Sequence, residues 1–123
     1  MKRFLKLVVA SLIAVFAVST LSACAPEPMS ASDYAAVIDV RTVEEWNSGH
    51  LEGAILIGVA DPNFQQMLAE LDPAADYYIY CRSGNRAGQA IDIMRDMGFT
   101  GELVNGGAAA NASAQLGLSV VTE

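Results

Sequence analysis

The chain has 123 residues, of which 53% are hydrophobic, and a formal charge of −7. This length is enough for one domain and too short for two, and the apolar runs along it argue against disorder. Beyond the first 23 residues, the remaining 100 carry four arginines, no lysine and all 14 acidic residues, which is a formal charge of −10. A body this acidic has no basic surface for nucleic acid.

An export signal is predicted at the N-terminus. Lys2, Arg3 and Lys6 precede an apolar run over residues 7–18, and small residues follow. A basic segment, an apolar segment and a small-residue end are typical of a secretory signal peptide. The run is shorter than the roughly 20 residues that span a bilayer. An uncleaved membrane anchor is the alternative interpretation.

The end of this segment, Leu21-Ser22-Ala23-Cys24, resembles the lipobox of bacterial lipoproteins. The resemblance implies cleavage before Cys24 and lipid attachment to it. Residues 1–23 would then be the signal peptide, 24–35 a tether and 36–123 the domain. We therefore expect a lipid-anchored protein of the cell envelope, facing the periplasm or the outside of the cytoplasmic membrane.

The body opens with a short β-branched strand over residues 36–40. Thr42 and Glu45 have the spacing of a capping box, which predicts a helix from Val43 that carries Trp46 as a core residue. Gly49 and the residues beside it break that helix. His50, the only histidine, is interpreted as a structural turn residue. A second strand is predicted over residues 54–59.

A second helix is predicted from Pro62 with Asp61 as its cap, because proline is tolerated in a first helical turn. Its apolar face has the i, i+3, i+4, i+7 spacing and comprises Phe64, Met67, Leu68 and Leu71. Residues 77–80 follow as a strand that is apolar on both faces, as in the centre of a parallel sheet. The same helical spacing returns over residues 87–94, and Gly98 is suited to the position after that helix.

A fourth strand is predicted over residues 102–105 and a last helix over residues 108–116, ended by Gly117. Residues 120–121 are too short to assign. Strands that alternate with helices predict an α/β fold, a three-layer sandwich with a central parallel sheet of about four strands and helices on both faces.

Cys81 lies where the third strand leaves the sheet and a helix begins. If Cys24 is lipidated, Cys81 has no disulfide partner in the chain, which is unusual for an exported protein. Backbone N–H groups at a helix N-terminus favour a thiolate and lower its pKa. Arg82 and Arg86, half of the arginines in the body, favour a small anionic substrate. The alternatives are a buried packing cysteine and solvated loop charges.

Five segments together resemble the rhodanese family, in the order that the family has them. They are VIDVRTVEEW (37–46), GHLEGA (49–54), CRSGNRA (81–87), MGF (97–99) and LVNGG (103–107). The small size and the export signal are most similar to periplasmic rhodaneses of the phage-shock type. The resemblance implies a rhodanese-like α/β sandwich and a sulfurtransferase that moves a sulfane sulfur from thiosulfate or a similar anionic donor.

By this resemblance Cys81 is the nucleophile and becomes a persulfide. The backbone amides of the substrate-binding loop cradle the persulfide, and the arginine side chains hold the donor's oxyanion; this loop comprises Arg82, Ser83, Gly84, Asn85 and Arg86. The acceptor is a thiol or cyanide, with a thioredoxin-like protein as one candidate. No cofactor is implied, and one histidine with one free cysteine does not support a metal site.

Asp39 and Arg41 are expected to support the site from the end of the first strand, where such folds place their ligands. Asp39 would bind loop or helix N–H groups, while Arg41 either pairs with an acidic neighbour or lines the rim. The loop from Cys81 to Arg86 is Cys-x4-Arg, one residue shorter than the phosphate-binding loop of similar phosphatases and arsenate reductases. The shorter loop favours sulfur over phosphate.

Two features depart from the family. The strand and helix that usually precede Asp39 are shortened or absent, and no tryptophan follows Gly106-Gly107. Donor preference is therefore open. Two other functions remain as alternatives to a sulfurtransferase. One is a non-enzymatic persulfide carrier, and the other is a thiol redox or binding module at the cell envelope, which the lack of a Cys-x-x-Cys pair disfavours.

Overall fold

The computed structural model describes residues 29–122. The signal peptide, the lipobox and the lipid attachment at Cys24 lie outside the described residues and stay predictions. Within the described part of the chain, no helix has the length and apolar character needed to cross a membrane. A single 3₁₀ turn, Ala31–Asp33, precedes the first strand there. The prediction that the strand and helix before Asp39 are shortened or absent also concerns residues outside this range and stays a prediction.

A parallel sheet of four strands forms the centre of the molecule, in the order β3-β1-β4-β5. The strands are β1 (Ala36–Asp39), β3 (Ile55–Leu56), β4 (Tyr77–Cys81) and β5 (Leu103–Ala108). Every residue of β4 is buried, as expected for a strand between two neighbours in a sheet covered on both faces. The predicted α/β architecture with a parallel sheet is confirmed.

A separate pair of short antiparallel strands joins the end of the described chain to the segment after the first helix. These strands are β2 (His50–Leu51) and β6 (Val120–Val121). The sequence predicted neither strand, since two residues are too few to show any periodicity.

Helices cover both faces of the sheet. They are α1 (Val43–Ser48), α2 (Phe64–Leu68), α3 (Asn85–Asp96) and α4 (Ala109–Leu116). One apolar cluster contains Phe64, Leu68 and Met94 from α2 and α3, and the other contains Ala112 and Leu116 from α4. The residues of β4 alternate between the two clusters, because successive side chains of a strand point to opposite faces.

The second predicted strand is shorter than expected. Only Ile55 and Leu56 pair with β1, although Ile57 and Val59 still donate backbone hydrogen bonds to the carbonyls of Asp39 and Val40. Gly58 lies so close to the chain after β1 that a Cβ there would meet the Arg41 carbonyl oxygen at 2.8 Å. The segment therefore turns away from the regular ladder at the sheet edge.

The second predicted helix begins later than expected. The Asp61 carboxylate accepts the N–H of Asn63 at 2.8 Å, which makes a turn instead of a helix cap. Helix α2 starts at Phe64, with no side chain capping it. It ends at Leu68, before Leu71, but the predicted apolar face is correct because Met67 and Leu71 pack against the buried Phe64 and Leu68.

Candidate active site

The candidate site lies at the carboxyl edge of the sheet, where β4 passes directly into a loop and then into α3. Cys81 is the last residue of β4, and Gly84 immediately precedes α3 with a left-handed φ of 93°. No side chain caps this helix. Its first N–H groups are therefore available for another acceptor, and open α/β sheets place anion sites at such positions.

The acceptor is the sulfur of Cys81. The N–H of Gly84 lies 2.9 Å from Sγ. Burial raises the pKa of the thiol, but hydrogen bonds from the backbone N–H groups of Ala87, Ser83, Gly84 and Arg86 outweigh burial and bring the pKa below its ordinary value. The predicted helix-terminus effect on the thiolate thus has a geometric basis, with Ala87 contributing from just beyond the predicted loop.

The guanidinium group of Arg86 is occupied by a carboxylate. Its two terminal nitrogens donate to Glu45 at 2.7 and 2.9 Å, which is a bidentate ion pair. The pair lowers the pKa of Glu45 to about 2 and raises that of Arg86. The Arg86 side chain therefore ties the loop to α1, and the expectation that it holds the donor's oxyanion stays a prediction.

Glu45 is the functional residue that sequence reasoning missed. Its predicted place in the α1 capping box is confirmed, since it accepts from both the N–H and the hydroxyl of Thr42. The same carboxylate also reaches Arg86, 41 positions away in the chain. Helical spacing reveals a capping partner but gives no information about a contact at that distance.

Arg82 differs from the other arginines of the described segment. Its residue is exposed, and it forms no ion pair with any residue between 29 and 122. Arg41 and Arg86 have carboxylate partners. Arg95, in the last turn of α3, donates to the carbonyls of Phe99 and Gly101, which follow that helix. Arg82 therefore carries the uncompensated positive charge of the cysteine loop.

The loop residues Ser83 and Asn85 lie at the surface. Asn85 is the first residue of α3. Ser83 contributes its backbone N–H to the environment of Cys81. The substrate contacts predicted for both residues stay predictions.

Asp39 and Arg41 form a buried ion pair next to the loop. The carboxylate accepts the backbone N–H of Arg41 at 2.9 Å and its guanidinium at 2.7 to 3.0 Å. The guanidinium also donates to the Gly49 carbonyl and lies over the ring of Tyr80. The pairing alternative for Arg41 is therefore correct. The N–H that Asp39 accepts is that of Arg41, directly after β1, and not one of the cysteine loop.

Arg41 also borders a cavity of about 240 Å³ beside β1 and β3. Thr42, Leu56 and Met67 line it as well, whereas none of the residues 81–86 does. The cavity lies at the carboxyl edge of the sheet and is not lined by the cysteine loop. Arg41 thus has an acidic partner and also borders this cavity, while its place at the rim of the cysteine site stays a prediction.

Trp46 is partly exposed, so its prediction as a core residue is wrong. Its ring stacks on the buried His50 ring at a centroid distance of 3.5 Å. The Nδ1 atom of His50 also lies 3.0 Å from the Trp46 carbonyl oxygen. These contacts give His50 the structural place that the sequence predicted. No cluster of metal-ligating side chains occurs between residues 29 and 122.

The structure thus has a buried cysteine at the end of a parallel strand, backbone N–H groups around its sulfur and an exposed arginine beside it. The sequence model of the family 'Rhodanese-like domain' matches residues 24–113 of this chain. The chain therefore belongs to the rhodanese-like family. The family resemblance seen in the sequence is therefore confirmed.

Two kinds of relative place the chain within the family. It is 35% identical over 63 residues to thiosulfate sulfurtransferase PspE of Escherichia coli, a match that covers 51% of this chain and 61% of PspE. A rhodanese with anions from E. coli has a TM-score of 0.59 at 28% identity, covering 72% of this chain and 98% of that structure. A Helicobacter pylori protein solved by NMR has a TM-score of 0.61 at 27% identity, covering 76% and 82%.

These matches show the family and the fold. The sequence match with the curated relative spans somewhat less than two thirds of that protein's length. The chain is homologous to a sulfurtransferase, and the rhodanese family supports sulfur transfer in general. The particular donor, acceptor and reaction of this chain belong to the proposal that follows.

Proposed function

We propose that the protein is a sulfurtransferase that carries a sulfane sulfur on Cys81 as a persulfide and takes it from thiosulfate or a similar anionic donor. The observation that carries the proposal is the cradle of backbone N–H groups around the Cys81 sulfur, which brings the pKa of the thiol below its ordinary value. A thiolate held in this way is a nucleophile without a general base.

The first half-reaction transfers sulfur to the protein. The Cys81 thiolate attacks the outer sulfur of thiosulfate, a new S–S bond forms, and sulfite leaves with the electron pair of the bond that breaks. In the second half-reaction a thiolate or cyanide attacks the outer sulfur of the persulfide. The Cys81 thiolate leaves, and the acceptor keeps the sulfur as a persulfide or as thiocyanate.

Arg82 is the residue that we propose for holding the oxyanion of the donor. It is exposed and has no carboxylate partner among residues 29–122. Arg86 is paired with Glu45, so its positive charge is already compensated. In the proposal Arg86 shapes the loop, and its backbone N–H, not its guanidinium, supports the sulfur.

The cellular setting is a separate proposal that rests on the sequence. Cleavage before Cys24 and lipidation of Cys24 would attach the domain to the cell envelope. The acceptor would then be a thiol or cyanide on that side of the membrane, and a thioredoxin-like protein is a candidate. Replacing Cys24 with alanine should release the protein from membranes or leave the precursor unprocessed.

Intact-mass spectrometry after thiosulfate treatment tests the proposed chemistry. The wild type should gain the mass of one sulfur atom, and added cyanide should remove it with formation of thiocyanate. Cys81→Ser is the matched control, since it keeps the size of the side chain and the buried position. Gain of sulfur by the control, or no gain by the wild type, would contradict the proposal.

Turnover separates an enzyme from a carrier. A sulfurtransferase should form thiocyanate from thiosulfate and cyanide in many cycles. A non-enzymatic persulfide carrier should gain the sulfur and complete few cycles. A thiol redox module should gain no sulfur from thiosulfate, while its Cys81 should exchange with the disulfide of a thioredoxin-like protein.

A further inference from the structure

Asn105 joins the cysteine loop to the neighbouring strand. It lies in β5 opposite Ile79 of β4, and as a residue it is exposed. Its carboxamide nitrogen donates to the Gly84 carbonyl oxygen at 2.9 Å, and its carboxamide oxygen accepts the N–H of Gly107, also at 2.9 Å. One side chain therefore connects the cysteine loop to the end of β5, where Gly107 has a left-handed φ of 71° and the chain makes a turn before α4.

Gly84 is the loop residue whose conformation most needs an external restraint. Its N–H donates to the Cys81 sulfur, while its carbonyl accepts from Asn105 and from the N–H of Gly88 in the first turn of α3. Glycine at a φ of 93° has wide conformational freedom. The Gly84 carbonyl shares a rigid peptide plane with the Asn85 N–H, so a hydrogen bond to this carbonyl orients the plane on one side of Gly84. With that side held, only the two backbone torsions of Gly84 set the direction of its own N–H.

The space around Gly84 fits this restraint. A Cβ at Gly84 would lie 3.3 Å from the Gly107 Cα and 3.5 Å from the Asn105 carboxamide oxygen. The loop and the turn are thus packed backbone to backbone, with the Asn105 carboxamide between them. Among residues 29–122, no other hydrogen bond ties the Gly84 carbonyl to a neighbouring strand of the sheet.

We infer that Asn105 is a positioning residue for the thiolate of Cys81, and that it acts by fixing Gly84 so that the loop N–H groups stay aimed at the sulfur. Asn105 does not contact the sulfur and is not a catalytic residue. The inference deepens the proposed function and rests on it for its biological meaning, but the effect on the thiol exists whether or not sulfur is transferred.

A pH titration of the Cys81 thiolate in the full chain tests this inference. The titration follows the ultraviolet absorbance of the thiolate, with Cys81→Ser subtracted to remove the signals of Cys24 and the tyrosines. Asn105→Ala should raise the midpoint by about half to one pH unit, which corresponds to the loss of about one hydrogen bond. Asn105→Asp keeps the acceptor for Gly107 but loses the donor to Gly84, and it should raise the midpoint at least as far.

Asn111→Ala is the matched control. The Asn111 carboxamide donates to the Gly106 carbonyl at 2.9 Å, which is the same kind of bond on the same turn without a contact to the cysteine loop. It should leave the midpoint unchanged. If Asn105→Ala does not fold by circular dichroism, Asn105→Asp carries the test, since it retains the bond to Gly107.

The outcomes separate the inference from the proposed function. An unchanged midpoint in the folded Asn105 variants, or an equal rise in Asn111→Ala, would overturn the positioning role even if the wild type gains sulfur from thiosulfate. A raised midpoint in the Asn105 variants together with no gain of sulfur by the wild type would support the positioning role and contradict the proposed function.

Discussion

The neighbouring strands β1 and β4 end at the same edge of the sheet. Charged side chains are paired directly after β1, whereas the arginine directly after β4 has no carboxylate partner among residues 29–122. After β1, the anion is the Asp39 carboxylate, and its cation, Arg41, comes two residues later and is buried with it. The helix that follows is capped by its own side chains, Thr42 and Glu45. The buried ion pair of this corner lies within residues 39–41, and Glu45 also links the corner to Arg86.

After β4, the group at the end of the strand is the Cys81 thiol, whose pKa is raised by burial but brought below its ordinary value by backbone N–H groups, and no side chain among residues 29–122 caps the helix that follows. In α1 the Thr42 hydroxyl accepts an N–H of the first turn. At the start of α3 the corresponding N–H groups point at the Cys81 sulfur. The nearby Arg82 has no carboxylate partner among the described residues. The comparison teaches that the same strand-to-helix arrangement buries a matched pair of charges after β1, whereas after β4 it directs helix N–H groups at a thiol beside an arginine that has no carboxylate partner among residues 29–122.

The first prediction removes one charge of the buried ion pair after β1. Asp39→Asn removes the negative charge from a pair in which both side chains are buried, so Arg41 stays buried without a counter-charge. We expect the free energy of unfolding to fall by about 3–5 kcal/mol, measured by urea unfolding at neutral pH. Glu45→Gln, in the partly exposed pair, is the control and should cost no more than about 1 kcal/mol. Equal losses would contradict the contrast.

The second prediction changes the backbone of the cysteine loop after β4. Gly84→Ala places a Cβ at a left-handed φ and close to Gly107 and Asn105, which should cost about 1–2 kcal/mol of stability and raise the pKa of Cys81. Gly98→Ala is matched, since its φ is 95° and no atom lies near the new Cβ. It should cost similar stability and leave the thiol titration unchanged, and a shift in both variants would refute the specific role of Gly84.

The third prediction distinguishes the two arginines of the loop. Arg82→Gln should raise the thiosulfate concentration needed for half-maximal sulfur loading by about fivefold, since an exposed charge contributes at most about 1 kcal/mol. The double variant Glu45→Gln with Arg86→Gln removes a compensated pair and should change that concentration much less. A larger effect in the double variant would instead assign donor binding to Arg86.

The fourth and smallest effect concerns acid. The Arg86 guanidinium holds the pKa of Glu45 near 2, below its usual 4.5, so the ion pair stabilises the folded state above about pH 4.5 and loses this contribution as the pH falls towards 2. Urea midpoints of Glu45→Gln should decline less steeply than those of the wild type in this range. A decline as steep in Glu45→Gln as in the wild type would contradict this role of the ion pair.

Much of the fold followed from local pattern. Residues 77–80 were predicted as a central strand because both faces are apolar, and Gly98 and Gly117 were predicted as helix ends because their positions need a left-handed φ. The edges were harder. The residues Asp61 and Pro62 are as typical of a turn as of a helix start. The hydrogen bond from the Asn63 N–H to the Asp61 carboxylate shows that they form a turn here.

The site divides in the same way. The sequence by itself determined the family, the alternation of strands and helices, and the place of Cys81 between a buried strand and a helix N-terminus, because each of these depends on neighbours within a few residues. Only the tertiary structure decided that Glu45 meets Arg86 across 41 positions and that Asn105 meets Gly84 across 21. The physical reason is that these hydrogen bonds form when parallel strands bring distant segments to one edge of the sheet, and no local periodicity records which side chains will face each other there.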